Sequence, residues 1–524
     1  MGIPCFYGWL LKEYREIKRV YTKDNLGGNI QCNNLYIDMN QIIHKYAQLN
    51  DENSIIDHVI EHINWIMLSV RPNQLVYIAM DGVTPRARMP CQRMNRFLKS
   101  KNISDGLKEK FTTNDQHELT TEETFDKCHI KPGTKFMYKL SKYLQYYLQN
   151  RMFENRNWGI LKIILSDGNV PGEGEHKITN FIRQHKRSNP NRSHVIYSSD
   201  SDLVLLGLLT HEQNLTIICD VSNNEATKYA VIYLSKLINY FKLQKYDSSL
   251  FARKYERFID DWVMICLLFG NDFLPKSQSI DFFQSQITMN SLLDIYREVL
   301  KTTNNYLTEN STINENHLRT FLKKVGEKDR DERIRRQTYY RDKFNDNEID
   351  LNTFPNQITE SYVRGLCWVF QYYSQGPPSW NCSQYIALIP FMDENSLLVA
   401  LQSINYTLTE DEEKRNRLDY DRLLVHSRNP IYQKFRKLNG NSDKPVTEEN
   451  PIQLSQIENT QLVGHVWLNN DDDLDEEAMQ SLPIRYQDRS RDQIIVLKYC
   501  ICSFRNKHAD NVDHNSVRFQ STAN

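Results

Sequence analysis

Seven acidic residues stand at points where an apolar run of the sequence gives way to a turn or to the start of a helix. The segment LSDGNVPGEGEHKI at 165–178 shows the pattern, with Glu173 and Glu175 two residues apart after a Pro-Gly turn. Any one such acid is equally well explained as a helix-capping or turn residue. If the strands before them are neighbours, however, the carboxylates converge. The seven residues are Asp38, Asp81, Glu173, Glu175, Asp200, Asp202 and Asp272.

A cluster of this kind requires positive charge, because like charges in one dry site raise each other's pKa values or loosen the fold. Oxygen-only ligands without cysteine favour hard divalent cations such as Mg²⁺ or Mn²⁺. Two such ions roughly 3.5–4 Å apart can activate a water and stabilise the leaving oxygen during phosphodiester cleavage. The sequence therefore predicts two Mg²⁺ or Mn²⁺ ions at the seven acids, which would serve as both metal ligands and catalytic groups.

A basic stretch, PRARMPCQRMNRFLKS at 85–100, directly follows Asp81. On a helix, Arg88, Gln92 and Arg96 step by four residues and therefore share one face. Guanidinium groups bind phosphate oxygens bidentately, so this face beside a metal cluster fits a pocket for a terminal phosphate. A solvated basic helix would have the same composition, and the stretch alone does not decide between the two.

The same order of elements recurs along the chain around these residues: an apolar strand, then a turn, then an amphipathic helix. Strands that alternate with helices in this way predict an α/β fold with a mostly parallel central sheet. In such sheets functional groups collect at the carboxyl ends of the strands, which is where the acids stand. The order recurs in NNLYIDMNQIIHKYAQL (33–49), QLVYIAMDGVTPRARM (74–89), GILKIILSDGNVPGEGEHKITNFIRQH (159–185) and SHVIYSSDSDLVLLGLL (193–209).

The composition is typical of a globular protein. The chain has 524 residues, a mass of 62.1 kDa and a net charge of −1, with 40% hydrophobic and 25% charged residues. A chain of this length is expected to form two or three domains. The near-zero net charge argues against a uniformly basic nucleic-acid-binding surface, although an acidic cluster beside a basic pocket would also sum to about zero.

Targeting signals and cysteine usage give an expectation for the compartment. No apolar stretch approaches the ~20 residues of a membrane span, and the N-terminus lacks the pattern of a secretory signal. The ten cysteines are scattered, which is typical of reduced thiols in an intracellular protein. We therefore expect no membrane partner.

A second region begins near residue 355 with ITESYVRGLCWVFQYYSQGPPSW at 358–380, which is rich in aromatic residues and favours helix. The residues before it, from about 300 to 350, are polar and highly charged. After about residue 405 the pattern weakens. We expect an N-terminal domain over 1–285, a variable helical connection over 286–354, a second region over 355–510 and a disordered tail over 511–524.

In order and spacing, these segments resemble the Xrn family of 5′→3′ exoribonucleases. The resemblance covers about the first 280 residues and a second block around 355–395. It implies a PIN/flap-endonuclease-like nuclease domain, with a mainly helical second conserved region packed over the active site. The segments that carry it are MGIPCFYGWL, NLYIDMNQIIH, DGVTPRARMPCQR, CHIKPGTKFM, VPGEGEHKI, SSDSDLVLLGLLTHE, DDWVMICLLFGNDFLP, YVRGLCWVFQYYSQGPPSW and PF at 390–391.

The resemblance also implies roles for individual residues. The metal-binding acids of the family fall on the seven acids named above. Its 5′-phosphate pocket falls on Arg88, Gln92 and Arg96. Position 88 is usually Lys in the family, and Arg88 preserves the charge. Asn95 stands where a second arginine is typical, and Arg93 is a candidate to compensate for it.

Two further residues are assigned by the resemblance to stacking on the first base of the substrate. His44 corresponds to a stacking histidine, and Trp380 is the best candidate for its tryptophan partner, with a core aromatic as the alternative reading. Cys382 replaces an aromatic of the family, so the stacking wall is expected to be thinner. His176 and Lys177, beside the acids, are expected to support the site rather than to act in it.

These expectations combine into a metal-dependent 5′→3′ exoribonuclease of RNA decay. It would degrade single-stranded RNA with a 5′-monophosphate to nucleoside 5′-monophosphates, as a monomer, in the cytoplasm or alternatively the nucleus. Family members usually continue well beyond 524 residues, so a short form is expected. Two alternatives remain open, a flap-type structure-specific 5′ DNA nuclease and a catalytically silent RNA-binding protein of the same fold.

Overall fold

The computed structural model of this protein describes most residues before 329 and shorter stretches after 353. Among the described residues, no helix combines the length and apolar character needed to cross a membrane. The described residues are 2–28, 30–49, 51–93, 125–186, 192–221, 227–243, 255–275, 280, 282, 287–328, 354–380, 399, 403, 407–440, 446–448, 450–454, 462–468 and 493–501.

The helices are distributed along the whole described chain. Short 3-10 helices occur at Arg15–Ile17, Arg86–Arg88 and Lys127–His129. The α-helices are α1 (Phe6–Glu13), α2 (Lys23–Leu26), α3 (Met39–Tyr46), α4 (Glu52–Val70), α5 (Lys135–Glu154), α6 (Arg156–Gly159), α7 (Gly174–His185), α8 (Leu203–Leu208), α9 (Leu234–Leu243), α10 (Tyr255–Leu267), α11 (Met289–Thr303), α12 (Glu315–Lys328), α13 (Phe354–Gln375), α14 (Glu410–Asn416) and α15 (Pro430–Gly440).

The strands form one large mixed sheet and one small hairpin. In the large sheet the order is β1-β7-β6-β5-β2-β3-β4-β10-β13-β12-β11, and β8 pairs with β9 in the hairpin. The strands are β1 (Lys18–Thr22), β2 (Asn34–Asp38), β3 (Leu75–Ala79), β4 (Lys162–Ser166), β5 (His194–Tyr197), β6 (Leu215–Asp220), β7 (Lys228–Tyr233), β8 (Thr308–Glu309), β9 (Thr312–Ile313), β10 (Asp421–His426), β11 (Ile452–Gln453), β12 (His465–Leu468) and β13 (Ile494–Cys500).

The centre of the large sheet, β6-β5-β2-β3-β4, is parallel throughout. The strands on either side of it pair antiparallel. Every residue of β2, β3 and β4 is buried, as expected for parallel strands that helices cover on both faces. The predicted α/β class with a parallel central sheet is therefore confirmed.

Alternate residues of the central strands contribute to two hydrophobic cores, because successive side chains of a strand point to opposite faces. On β2, Tyr36 belongs to the core that also includes residues of α1, α7, α10 and α13. Leu35 and Ile37 belong to the core on the other face, with residues of α3, α4 and α5. The parallel strands are thus held between two helical layers, which fixes where their carboxyl ends lie.

The region after residue 355 contains helices α13, α14 and α15, and it also extends the large sheet. Strand β10 pairs antiparallel with β4, with Leu423 opposite Ile164, and β13, β12 and β11 follow. The sequence did not predict this extension, because these strands are short and lie where the pattern weakens. The described part of 286–354 holds α11, the hairpin and α12, and the expected tail over 511–524 lies outside the described residues.

Candidate active site

The carboxyl ends of the central strands place the predicted acids at one edge of the sheet. Asp38 is the last residue of β2 and the residue before α3, and Asp81 follows β3 by two residues. Glu173 immediately precedes α7, in the connection after β4. Asp200 and Asp202 lie between β5 and α8. Because β2, β3, β4 and β5 are parallel neighbours, all these connections leave the sheet on the same side.

The start of α7 lies between the first two acids. The Gly174 amide donates a hydrogen bond to Asp81 Oδ1 at 2.8 Å. A Cβ at Gly174 would lie 3.1 Å from Asp38 Oδ1, so glycine allows this close approach. Ser198 Oγ donates to Asp38 at 2.8 Å, and Asn40 Nδ2 donates to Asp81 at 2.5 Å. These contacts fix the direction of both carboxylates.

The loops that carry Asp81 and Glu173 are bonded to each other. The Gly82 amide donates to the Gly172 carbonyl at 2.9 Å, and the Gly172 amide donates to the Val83 carbonyl at 2.8 Å. This two-bond pairing sets the position of one acid relative to the other, because each loop continues directly into its acid.

Lys177 forms hydrogen bonds to the chain just before Asp81 and just after β4. Its Nζ donates to the carbonyls of Met80 and Asp167, at 2.7 and 2.8 Å, and the residue is buried. Burial lowers the pKa of Lys177 to about 8. The adjacent His176 ring stacks on Tyr372 of α13, with ring centroids 3.8 Å apart. Both residues thus pack against or bond to neighbouring elements of the site.

Arg88 joins two of the acids. Its Nε lies 2.8 Å from Glu173 Oε1 and its Nη1 lies 2.6 Å from Asp272 Oδ2, while only 4% of the residue is exposed. The guanidinium also lies over the Phe273 ring, 5.6 Å from its centroid. Burial alone would lower the Arg88 pKa, but Glu173 and Asp272 raise it above its ordinary value. Arg88 therefore compensates buried negative charge at the site.

Asp200 and Asp202 form the third part of the cluster. The Asp202 amide donates to Asp200 Oδ1 at 2.9 Å. The Asp202 carboxylate accepts from the Ile3 amide at 3.3 Å and from the Tyr373 hydroxyl at 2.5 Å. The N-terminal segment and α13, which are far apart along the chain, thus meet at this acid.

Electrostatic repulsion between pairs of these acids links all seven into one network, although not every acid reaches every other. Burial raises the pKa of Asp38 to about 7 with a further contribution from Asp81, and burial raises that of Asp202 to about 7 with contributions from Asp200 and Asp272. Burial also raises the pKa of Glu175 well above its ordinary value. The carboxylates that add to this increase are Glu173, Asp200, Asp81 and Asp38.

The donor set fits hard divalent cations. Glu173, Glu175 and His176 each offer a ligand atom, and these atoms lie within 4.8 Å of one another. In the part of the chain that the structure describes, the buried Nδ1 atom of His176 has no hydrogen-bond partner. One positive charge from Arg88 does not balance a cluster of three buried and four half-buried carboxylates, and oxygen ligands of this density suit Mg²⁺ or Mn²⁺. A bound divalent cation would relieve this repulsion.

The residues predicted to bind phosphate are only partly described. Arg88 lies in a 3-10 helix, and residues 89–93 continue as α-helix. Gln92 is half-buried and Arg93 is exposed. Arg96, with Asn95 beside it, lies outside the described residues. The described part therefore places the first of these side chains against the acids.

The residues predicted to stack on a base lie on two different elements. His44 is exposed on α3, the helix that begins after Asp38. Trp380 is partly buried, and its carbonyl accepts a hydrogen bond from the Arg86 amide at 2.9 Å. The second region thus reaches the segment that carries Arg88. Cys382 lies outside the described residues.

Sequence reasoning missed Tyr372 and Tyr373 of α13. Their hydroxyls donate to Glu173 and Asp202, respectively. The only available signal was the adjacent pair of tyrosines within 358–380, and no spacing rule connects them with acids of the first domain.

The pKa values predict how stability depends on pH when metal is absent. Asp38 and Asp202 have pKa values of about 7 in the folded protein, against an ordinary value of 3.8. Between these values the folded state holds protons that the unfolded chain has released. The contribution of these two groups to the free energy of unfolding is therefore largest below pH 3.8 and is lost as pH rises through about 7. The free energy of unfolding in urea and EDTA is therefore expected to fall from about pH 5 to about pH 8.

The variants Asp38→Asn and Asp202→Asn provide the control for this prediction, because each removes one of the groups that release a proton. Each is expected to flatten the pH dependence, and Mg²⁺ is expected to flatten it in the wild type. A decline of the same slope in both variants would show that other groups cause it.

Sequence comparisons assign the chain to a family. Residues 1–221 match the XRN 5′-3′ exonuclease N-terminus, and residues 252–338, 334–385 and 382–521 match the Xrn1 helical domain. Together these matches span most of the chain. The protein belongs to the XRN family of 5′-3′ exonucleases, as its resemblance implied.

Curated relatives agree with this assignment. A 5′-3′ exoribonuclease 2 homolog from Drosophila melanogaster is 25% identical over 85% of this chain and 76% of its own length. The 5′-3′ exoribonuclease 2 of Gallus gallus is 32% identical over 62% of this chain and 42% of its own length. The 5′-3′ exoribonuclease 2 of Schizosaccharomyces pombe is 34% identical over 69% of this chain and 43% of its own length. The matches thus span less than half of the last two relatives.

Solved structures give weaker similarity. The catalytic core of Rad2 in complex with a DNA substrate has a TM-score of 0.33 at 12% identity, over 80% of this chain and 98% of that one. Flap endonuclease-1 from Methanococcus jannaschii has a TM-score of 0.29 at 11% identity, over 76% and 95%. Scores this low support no inference, so the family assignment rests on sequence.

Proposed function

We propose that this protein is a metal-dependent 5′→3′ exoribonuclease that degrades single-stranded RNA with a 5′-monophosphate and releases nucleoside 5′-monophosphates in RNA decay. The observation that carries the proposal is the cluster of buried and half-buried carboxylates at the carboxyl ends of the parallel strands, in a chain of the XRN family. The acids are buried or half-buried and repel one another, which is costly unless cations bind there.

Two Mg²⁺ or Mn²⁺ ions are the proposed cofactors. When bound, such ions lower the pKa of a water and stabilise the leaving oxygen of a phosphodiester. The chain supplies the ligands and their orientation, through hydrogen bonds from Ser198, Asn40 and the Gly174 amide. The proposed ligands are Asp38, Asp81, Glu173, Glu175, Asp200, Asp202 and Asp272.

The terminal phosphate is proposed to bind at the basic segment that follows Asp81. Arg88 lies closest to the acids, with Glu173 at 2.8 Å and Asp272 at 2.6 Å. Bound cations would take over the compensation of these carboxylates and free the guanidinium for a phosphate oxygen, which it can hold bidentately. The proposed phosphate-binding residues are Arg88, Gln92, Arg93 and Arg96.

Base stacking is proposed for His44 and Trp380. His44 is exposed on the helix that starts after Asp38, and the Trp380 carbonyl is bonded to Arg86 near the phosphate segment. Stacking on such side chains is tolerant of sequence, because every base offers a flat face. An exonuclease that removes successive nucleotides needs this tolerance.

The proposed setting is the cytoplasm, with the nucleus as the alternative, and a monomer is the proposed state. The free thiols, which include the buried Cys32, Cys219 and Cys266, are consistent with a reducing compartment.

The proposal is tested by comparing RNA substrates that differ only at the 5′ end. RNA with a 5′-monophosphate is expected to be degraded at least about tenfold faster than 5′-hydroxyl or capped RNA, because each hydrogen bond to a charged group contributes about 1.5–3 kcal/mol. EDTA is expected to stop the reaction and Mg²⁺ to restore it. The products, resolved by chromatography, are expected to be nucleoside 5′-monophosphates.

Each alternative has its own outcome in the same assay. Equal degradation of all three RNAs would refute the phosphate pocket. Preferential cleavage of flap DNA would favour a structure-specific DNA nuclease. Binding of RNA without Mg²⁺-dependent turnover would favour a catalytically silent binding protein.

A further inference from the structure

Two adjacent tyrosines of the second region contact two different acids of the candidate active site. The Tyr372 hydroxyl donates to Glu173 Oε2 at 2.9 Å, and the Tyr373 hydroxyl donates to Asp202 Oδ2 at 2.5 Å. Neighbouring positions on an α-helix point about 100° apart, so one turn of α13 can reach acids on separate elements. Both tyrosines are 1% exposed, which shields these hydrogen bonds from water.

Helix α13 is fixed on α7, which begins next to Glu173. The His176 ring stacks on the Tyr372 ring at 3.8 Å, with an interplanar angle of 18°. Further along α7, Arg183 Nη1 donates to the Tyr373 carbonyl at 2.7 Å. These contacts hold the backbone of the tyrosine pair at a set distance from the acids.

Packing on other sides limits the movement of the same turn. Tyr372 lies against the Phe273 and Trp368 rings, with centroids 5.5 and 5.1 Å away. At the end of the helix a Cβ on Gly376 would lie 3.0 Å from Asn180 Nδ2, so the two helices approach closely there. The rings are held by packing, and removal of a hydroxyl alone is expected to leave them in place.

We propose that Tyr372 and Tyr373 are positioning residues that orient Glu173 and Asp202 for divalent-cation binding, so that the second region completes the metal site of the first. Each hydroxyl occupies one lone-pair direction of a carboxylate and fixes its rotamer, which leaves the remaining lone pairs to a cation. Without the tyrosine, Glu173 keeps Arg88 and Asp202 keeps the Ile3 amide as a donor on the other oxygen only. Each carboxylate is then expected to rotate more freely under repulsion from its neighbours. The inference rests on the proposed function only in taking these two acids as cation ligands.

The test measures Mn²⁺ binding to the full chain by titration calorimetry, without RNA. Tyr372→Phe and Tyr373→Phe are each expected to weaken Mn²⁺ affinity about tenfold, since partners that orient metal ligands typically contribute about 10–100-fold. The double variant is expected to weaken it further. RNA hydrolysis by the single variants is expected to recover at high Mn²⁺ concentration, which a merely misfolded site would not do.

Tyr296→Phe is the matched control. The Tyr296 hydroxyl also donates to a buried carboxylate, Asp261 Oδ2 at 2.6 Å, and the residue is fully buried. Because this pair lies outside the acid cluster, the variant is expected to lose stability but to keep the wild-type Mn²⁺ affinity. Thermal melts of all variants report folding, and the single variants decide the comparison if the double variant does not fold.

The possible results separate this inference from the proposed function. Mn²⁺ affinity that is unchanged in both single variants would overturn the positioning role, even if the wild type degrades RNA. Tyrosine-dependent Mn²⁺ binding in a wild type that does not degrade RNA would support the positioning role and overturn the proposed activity. Equal loss of affinity in Tyr296→Phe would overturn the positioning role by showing a general effect of stability.

Discussion

Replacement of Glu175 by Gln is expected to reduce the hydrolysis of 5′-monophosphate RNA by more than about 100-fold. Glu175 lies in the first turn of α7, is half-buried, and its carboxylate lies within electrostatic reach of Glu173, Asp200, Asp81 and Asp38. Partners that only orient a metal ligand contribute up to about 100-fold, and the loss of an anionic ligand itself should exceed that value. The measurement is the single-turnover rate in Mg²⁺, with variant and wild type at equal concentration.

Glu212→Gln is the matched control for this variant. Glu212 is buried, with 6% exposure, and it lies before β6 at the opposite end of the sheet, 4.0 Å from His194 Nε2. Its replacement is expected to leave the rate unchanged. In the metal-free protein, Glu175→Gln is expected to increase stability, because it removes a carboxylate that its neighbours repel. Substantial activity in Glu175→Gln would exclude a ligand role.

The acids could be predicted from the sequence because their positions follow from local rules. Asp38 and Asp81 each follow a run of apolar residues that reads as a buried strand, and parallel strands end at the same edge of a sheet. Glu173 and Glu175 follow a turn and begin a helix. No residue-level contact was needed to expect that these groups lie together.

The tyrosine contacts could not be predicted in this way. Tyr372 lies 199 residues from Glu173, and Tyr373 lies 171 residues from Asp202. Contacts at such separations are decided by how helices pack, and helix periodicity alone does not say which helix meets which. The tyrosines read equally well as core aromatics of α13.

The extension of the sheet by β10 could not be predicted for the same reason, because it depends on contacts between segments that are far apart in the sequence. Arg422 of β10 forms a buried ion pair with Asp167, 2.9 Å away, and Ser141 donates to the same carboxylate at 2.6 Å. Three segments that are distant in sequence therefore meet beneath the active-site loops. The sequence shows a short run, DRLLVH, with charges near its ends, and nothing in it indicates which strand is its partner.

For Arg88, the sequence motif and the structural contacts indicate different roles. Its spacing from Gln92 and the resemblance both assign it to a phosphate. In the structure its guanidinium contacts Glu173 and Asp272 instead. The two assignments agree if Arg88 compensates the charge of the acids until cations bind. The stability of the metal-free protein is therefore the more direct measure of the contacts of Arg88 with Glu173 and Asp272.

Arg88→Met is therefore expected to lower the free energy of unfolding of the metal-free protein by about 3–5 kcal/mol, the cost of removing one partner of a buried ion pair. The variant leaves the buried carboxylate of Glu173 and the half-buried carboxylate of Asp272 without this cation. The measurement is urea denaturation in EDTA. Mg²⁺ is expected to stabilise the variant more than the wild type, because the ions supply the charge that the guanidinium provided.

Arg93→Met, in the same segment, is the control that removes the same charge from an exposed position rather than a buried one. Arg93 is exposed, and its replacement is expected to change the free energy of unfolding by no more than about 0.5 kcal/mol. Both variants lose one arginine of the predicted phosphate pocket, so weaker RNA binding alone does not distinguish them. If Arg88→Met were as stable as Arg93→Met without metal, the ion pairs of Arg88 would contribute no net stability.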